Sequence, residues 1–255
     1  MPVPVVDWRF GDKYYVTEFI MVGNSMIRDE YEKLKDADEN AFIENVATWI
    51  RDNFQYPIDY RGNPAAQAQL LKYKRNPLNW MFKKCVDYHW SFPTEVLVTK
   101  LGICIDTSNL AESVLRVRPL PETYVALGEV RRTADNQLLG YHAWVELPYR
   151  NERYVLETTI HRKDVWPLIK ANDVYGGKLD VYYIKHAYYD ETKYVPVTSL
   201  GAYQIIYLLG LPARKVQLLG FEKVISMKPR KIYRMWREEE KVKLEAIFNA
   251  FKRYH

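Results

Sequence analysis

Apolar residues recur at helical spacing after residue 38: Phe42, Ile43, Val46, Ala47, Trp49, Ile50 and Phe54. That spacing predicts an amphipathic helix, with Asp38 or Asn40 as its cap and Pro57 as its end. Upstream, the patches Val3–Val6 and Tyr14–Val22 suit one or two strands or an arm on the main domain, and residues 24–37 suit a short helix. Residues 61–90 are mixed, with Pro64 and Pro77 as breakers and a short helix predicted near Trp80–Tyr88. A second clear helix runs from Cys104 to Arg116, where Leu110, Ala111, Val114 and Leu115 make one apolar face and Arg118-Pro-Leu-Pro closes it.

Alternation then takes over. Tyr124–Arg131, Tyr141–Leu147, Tyr154–Thr159 and Asp180–Tyr189 read as strands, and Pro148-Tyr-Arg-Asn-Glu between the second and third reads as a turn. After residue 200 the character changes. Ala202–Leu209 is apolar, and a charged helix over Arg230–Tyr254 carries Ile232, Met235, Trp236, Leu244, Ile247, Phe248 and Phe251 on one side. Such a face is expected to dock on its own domain. The division expected is an N-terminal arm over 1–37, a core over 38–199 and a C-terminal helical extension over 200–255.

The middle hairpin brings chemistry together. If an even turn centres on Tyr149-Arg150, antiparallel partners have numbers summing to 299, so His142 faces Glu157, Trp144 faces Val155 and Glu146 faces Arg153. A three-residue turn would slip that register. Ala143, Val145, Leu147, Tyr154 and Leu156 then share the opposite face, which suits a core. A carboxylate opposite an imidazole holds one ring nitrogen and leaves the other for a thiol. Cys104 supplies one, at a helix start behind Gly102. A helix N-terminus presents free N–H groups and a positive dipole end, which favour a thiolate and can hold an oxyanion. Gly102 would let the backbone approach a substrate closely. Asp106, in the first turn, reads as a dipole complement.

Composition narrows the partners. Of 255 residues, 48% are hydrophobic and 15% aromatic, which excludes a disordered chain. The net charge is +5, but it is spread out apart from Lys72–Arg75 and Lys228–Lys231, so no nucleic-acid partner is expected. The two cysteines, Cys85 and Cys104, are too few for a disulfide framework. No leader pattern and no apolar run long enough for a membrane span is seen, so a cytoplasmic protein is expected. Cys85 and His89 make half of a metal site with no second pair at suitable spacing, so no metal is expected. His161 and His186 have no evident partners.

Gly102-Ile-Cys-Ile-Asp, the apolar helix ending Val-Leu-Arg116, Tyr141-His-Ala-Trp-Val-Glu and Tyr154-Val-Leu-Glu-Thr-Thr together resemble the transglutaminase-like superfamily of cysteine enzymes. Asn53-Phe-Gln-Tyr-Pro-Ile-Asp and Phe92-Pro-Thr-Glu-Val-Leu match its entry segments, so the resemblance covers roughly residues 38–160. It implies an α+β, papain-like transglutaminase core, with the nucleophile helix packed on an antiparallel sheet. It implies Cys104 as nucleophile, His142 as general base and acid, and Glu157 as the orienting carboxylate, with Gly102, Asp106 and Trp144 in support. The Cys104 N–H is the first oxyanion donor, and Gln55, Trp80 and Trp90 are candidates for the second. Glu157 stands where the family usually has Asp, and Ile103 where it often has an acidic or small residue. The implied substrate is a peptide or protein amide, with no cofactor. Attack by water on the acyl-enzyme gives peptidase or amidase hydrolysis, and attack by an amine gives cross-linking. A catalytically idle binding domain is the alternative from a different class.

Overall fold

The structure is a computed structural model that describes residues 3–7, 13–56, 90–118, 120, 122–202, 205–209 and 229–254. Trp80, Cys85, His89 and the helix expected near Trp80–Tyr88 lie outside the described residues. The chain opens with a small antiparallel pair, β1 (Val5–Asp7) and β2 (Lys13–Tyr15). Helix α1 (Ser25–Leu34) follows, capped by Asn24, whose Oδ1 accepts from Met26 N at 2.9 Å. Helix α2 (Glu39–Asn53) is capped by Asp38 rather than Asn40: Asp38 Oδ1 accepts from Ala41 N at 2.8 Å. Asn40 serves elsewhere, accepting Arg150 N at 2.8 Å and so tying the helix start to a distant turn.

Among the described residues two further helices precede the sheet, α3 (Pro93–Thr99) and α4 (Cys104–Leu115). The strands are β3 (Tyr124–Arg132), β4 (Leu138–Tyr149), β5 (Glu152–Leu156), β6 (Leu168–Lys170), β7 (Val181–Tyr189) and β8 (Tyr194–Pro196), with the short α5 (Ala171–Tyr175) between β6 and β7. They form one antiparallel sheet in the order β6-β5-β4-β3-β7-β8. The short helices α6 (Ser199–Ala202) and α7 (Ile205–Leu208) lead toward the long C-terminal α8 (Pro229–Tyr254). The architecture is α+β, with α4 packed on the antiparallel sheet.

Both faces of the sheet are covered. Val125, Leu127, Ala143, Val145, Leu147 and Leu156 point into the cluster that holds α1, α2 and α4. Ala126, Val130, Trp144, Val155 and Tyr183 point the other way, into a second cluster with Ile247, Phe248 and Phe251 of α8. The alternation follows from the two-residue period of a strand. The expected core face is therefore one of two, because α8 docks on the face that carries His142 and Trp144. Each large side chain of that helix buried here contributes about 1.5–3 kcal/mol before entropy.

The hairpin register differs from the expected one. Val145 pairs with Leu156, Glu146 with Val155 and Pro148 with Arg153, so partner numbers sum to 301. The turn is Arg150-Asn151, both at positive φ (50° and 62°), one step further along than expected. A shift of the sum by two preserves faces, because the side-chain period is two. Glu146 and Arg153 are consequently diagonal neighbours, with Nε 3.7 Å from Oε2, rather than direct partners. His142 lies opposite Gly128 on β3, and Glu157 follows the end of β5.

Gly128 is required by packing rather than by its own dihedrals. A Cβ there would stand 2.0 Å from Ile184 O and 2.7 Å from Trp144 Cη2. Gly128→Ala is expected to destabilise the fold by at least about 3 kcal/mol, at the upper end of overpacking costs. Urea unfolding checks this, and a loss below about 1 kcal/mol would count against the tight β3–β7 approach.

Candidate active site

Helix α4 is buried on every side, polar residues included: Asp106, Thr107, Ser108, Asn109, Glu112 and Ser113 are all at 0% exposure. Buried polar groups need partners, and most of these partners fix how the helix sits. Asp106 Oδ2 accepts from the N-cap Ile103 N at 3.1 Å, and Oδ1 accepts from Ser91 N at 2.7 Å. Asp106 thus complements the helix start and anchors the segment before α3. Ser113 Oγ accepts Met21 N at 2.9 Å, and Tyr189 OH donates to Asn109 Oδ1. Glu112, at the far end, is pushed up to about 8 by burial.

Gly102 has a structural reason that differs from the expected substrate approach. A Cβ would lie 2.8 Å from Asp106 Cβ and 3.1 Å from Thr107 Cγ2, so the helix's own first turn excludes a side chain.

The first turn of α4 meets the end of β5 through hydroxyls. Thr107 Oγ1 and Ser108 Oγ each lie 2.9 Å from Thr158 Oγ1. Thr158 Oγ1 is also 3.4 Å from Cys104 O. Thr158 directly follows Glu157, so these contacts hold the cysteine and the carboxylate in register.

His142 and Glu157 are both fully buried, with His142 Nε2 2.8 Å from Glu157 Oε2. The carboxylate has no idle oxygen. Oε2 also accepts Tyr183 OH at 2.6 Å, while Oε1 accepts Thr159 N at 3.0 Å and Thr159 Oγ1 at 2.6 Å. The bond to Glu157 orients the imidazole, and Trp144 lies beside it with centroids 6.2 Å apart. Trp144 in turn donates its indole N–H to Tyr175 OH at 3.1 Å.

His142 Nδ1 makes no well-formed hydrogen bond and is buried. Cys104 also acts on this histidine: its thiol and charge both raise the histidine's pKa. Burial works against an imidazolium here, but the charge of Glu157, then the Cys104 thiol, outweigh it and raise His142 to about 9. Burial likewise opposes the Glu157 carboxylate, but His142 and the hydrogen bonds from Thr159 and Tyr183 hold its pKa below the usual value. The arrangement favours a charged pair.

The oxyanion candidates separate. Gln55 is brought next to the cysteine segment by its backbone: Gln55 N donates to Lys100 O at 2.9 Å, and Gly102 N donates to Gln55 O at 3.2 Å. Its side chain is exposed. Its neighbour Tyr56 turns inward instead, is 4% exposed, and is acted on by the Cys104 backbone N–H. The sequence signal that could have found Tyr56 is the extended alternation Phe54 in, Gln55 out, Tyr56 in. Trp90 is buried, edge-on to Phe19 at 5.3 Å and stacked with Tyr189 at 6.3 Å.

The other histidines resolve differently. His186 does have partners: Nδ1 is 2.7 Å from Thr198 Oγ1 and Nε2 is 3.3 Å from Glu129 Oε1. Both ring nitrogens of His161 are buried, and burial pushes it down to about 4 despite the pull of Glu157. Among the described residues no group of three or more His, Cys, Asp or Glu could hold a metal ion. No described helix is long and apolar enough to cross a membrane.

Residues 26–166 match a family described as a transglutaminase-like domain. Over 126 residues the chain is 26% identical to UPF0252 protein MJ1282 of Methanocaldococcus jannaschii, which covers 49% of this chain and 31% of that protein. The match thus spans under two thirds of that relative's length. Solved structures of Legionella pneumophila LapG are also similar. The calcium-bound form is 15% identical with a TM-score of 0.42, covering 71% of this chain and 81% of that one. The EGTA-treated form is 14% identical with a TM-score of 0.42, covering 72% and 85%.

Two outcomes follow from the geometry. Thr158→Val removes the hydroxyl shared by Thr107 and Ser108, and is expected to cost about 1–3 kcal/mol in urea unfolding, as for other buried polar groups left unpaired. A neutral result would mean that this junction does not hold α4. The second concerns pH. The imidazolium of His142 stabilises the fold fully below its unfolded pKa of 6.5, and that stabilisation is lost as pH rises through about 9. Glu157 acts oppositely: its contribution is present above 4.5 and is lost as pH falls through its depressed folded pKa. Stability is expected to fall by on the order of 3 kcal/mol from pH 6.5 to 9, and His142→Gln to flatten that slope.

Proposed function

Because this chain belongs to the transglutaminase-like domain family, we propose that it carries out cysteine-dependent acyl transfer on amide bonds, ending in hydrolysis. The observation that supports this reading is the buried pairing of His142 Nε2 with a fully bonded Glu157, which leaves Nδ1 unclaimed, together with the pull of Cys104 on the histidine's pKa. Glu157 holds the ring and favours the imidazolium, which is the role of the third member of such a triad. Its extra methylene relative to Asp is accommodated by Thr159 and Tyr183, which pin both oxygens.

In the reaction the Cys104 thiolate adds to the amide carbonyl carbon, and the carbonyl oxygen becomes an oxyanion facing the Cys104 backbone N–H. The C–N bond breaks as His142 gives its proton to the departing nitrogen. A thioester to Cys104 remains. Water then loses a proton to His142 and adds to the thioester carbon. The C–S bond breaks, the acid leaves and the thiolate–imidazolium pair is restored. An amine in place of water would give transamidation from the same intermediate. A peptide or protein is the substrate class that this chemistry suits.

A peptide-electrophile library with mass spectrometry tests the nucleophile directly. Cys104 is expected to carry the adduct, and His142→Ala to slow its formation and any amide hydrolysis by roughly 10²–10⁴-fold. A Cys104→Ala protein that equals wild type in both hydrolysis and transamidation assays would falsify the reading.

A further inference from the structure

The acyl-transfer steps leave several buried ionisable groups without a task, and one of them borders the His142 strand. Lys243, on α8, is 1% exposed. Its Nζ donates to Tyr141 O at 2.8 Å, the residue before His142, and to Glu240 Oε1 at 2.8 Å, one turn back along the helix. Glu240 Oε2 accepts Tyr56 OH at 2.5 Å. Tyr56 continues the segment bonded to Lys100 and Gly102, just ahead of the cysteine.

The C-terminal helix is therefore connected to both sides of the site, to the His142 strand through Lys243 and to the Cys104 segment through Glu240 and Tyr56. Leu244, the next residue along, packs in the same apolar cluster as Cys104. Gly140 lets the lysine lie down on β4, since a Cβ there would come within 3.2 Å of Lys243 Cδ. Beneath this bridge Cys104 is 1% exposed and His142 and Glu157 are 0% exposed. A thiol this deeply buried is out of reach of a peptide carbonyl while the structure stays closed.

We propose that α8 is a built-in cover over the cysteine site, latched by the Tyr56–Glu240–Lys243 bridge, and that amide substrates reach Cys104 only when this helix lifts. This regulation rests on the acyl-transfer reading above. A buried ion pair suits a latch, because loss of either partner leaves an uncompensated charge and so breaks the closed state as a unit.

The test uses the full chain and iodoacetamide, with labelling at Cys104 and Cys85 scored separately by peptide mass spectrometry. Wild-type Cys104 is expected to label at least about tenfold slower than free cysteine near neutral pH, and Lys243→Ala to speed it at least about tenfold, the factor that about 1.4 kcal/mol of lost closure would give. Circular dichroism checks that the variant stays folded. Hydrogen exchange on wild type gives a second measurement. The amides of 238–254 are expected to exchange through an opening that leaves β3 and β4 protected, with Cys104 labelling at that opening rate. Wild-type labelling as fast as free cysteine, labelling unchanged by Lys243→Ala in a folded protein, or exchange of α8 only with global unfolding each overturns the cover. Amide hydrolysis separates the two ideas. A Lys243→Ala protein with a fast-labelling Cys104 that cleaves no amide keeps the cover and ends the acyl-transfer reading. A wild type that cleaves amides with a freely labelled Cys104 does the reverse.

Discussion

The contact between the first turn of α4 and the end of β5 governs the site. Three hydroxyls, those of Thr107, Ser108 and Thr158, meet there with no solvent to compete. A neutral hydrogen bond in water has little net worth, but a buried hydroxyl left unpaired is costly. The junction therefore tolerates little sliding. Cys104 lies about one turn before Thr107 and Ser108 on the helix, and Glu157 lies one residue before Thr158, just past the end of β5. Their relative position is set by that contact rather than by any direct bond between them.

From this junction the electrostatics follow. A carboxylate and an imidazole at 0% exposure would each be neutral if isolated, because burial penalises charge. Here Glu157 accepts four hydrogen bonds, from His142, Tyr183 and the two donors of Thr159. Those bonds offset the desolvation of the carboxylate, and the carboxylate in turn supports the imidazolium. Tyr183 comes from β7, across β3 from the His142 strand, so the central strands of the sheet converge on one acid. Gly128 gives Trp144 the room to lie beside the imidazole.

The same logic extends to the C-terminal helix. Its apolar residues Ile247, Phe248 and Phe251 complete the core on the second sheet face. Its polar residues Glu240 and Lys243 are directed at the groups around Cys104. Burial of Lys243 opposes its charge, yet the charges of Glu240, Cys104 and Glu157 hold its pKa above the usual value. One helix thus completes the second core and sets a buried charge pair against the backbone just before His142.

The elements themselves were legible along the chain. Helical spacing marked α2, α4 and α8, alternation marked β3, β4, β5 and β7, and the face shared by His142 and Glu157 followed from a period of two. That face survived a wrong register because the error was an even one. The turn position was not legible, since Tyr149-Arg150 and Arg150-Asn151 both suit an even turn; in the structure Asn40 and Glu44 of α2 hold the turn residues in place. Local pattern also could not show that Tyr56 would turn inward beside Gln55, or that α8 would reach across to Tyr56 and Tyr141. Those outcomes rest on contacts between residues 56 and 240, or 141 and 243, far apart in the chain. The sequence by itself determined which residue types could do cysteine chemistry and which faces they share, because short-range periodicity encodes both. Only the tertiary structure decided how they are spaced, how their charges are held and what covers them, because burial and long-range packing are properties of the assembled fold.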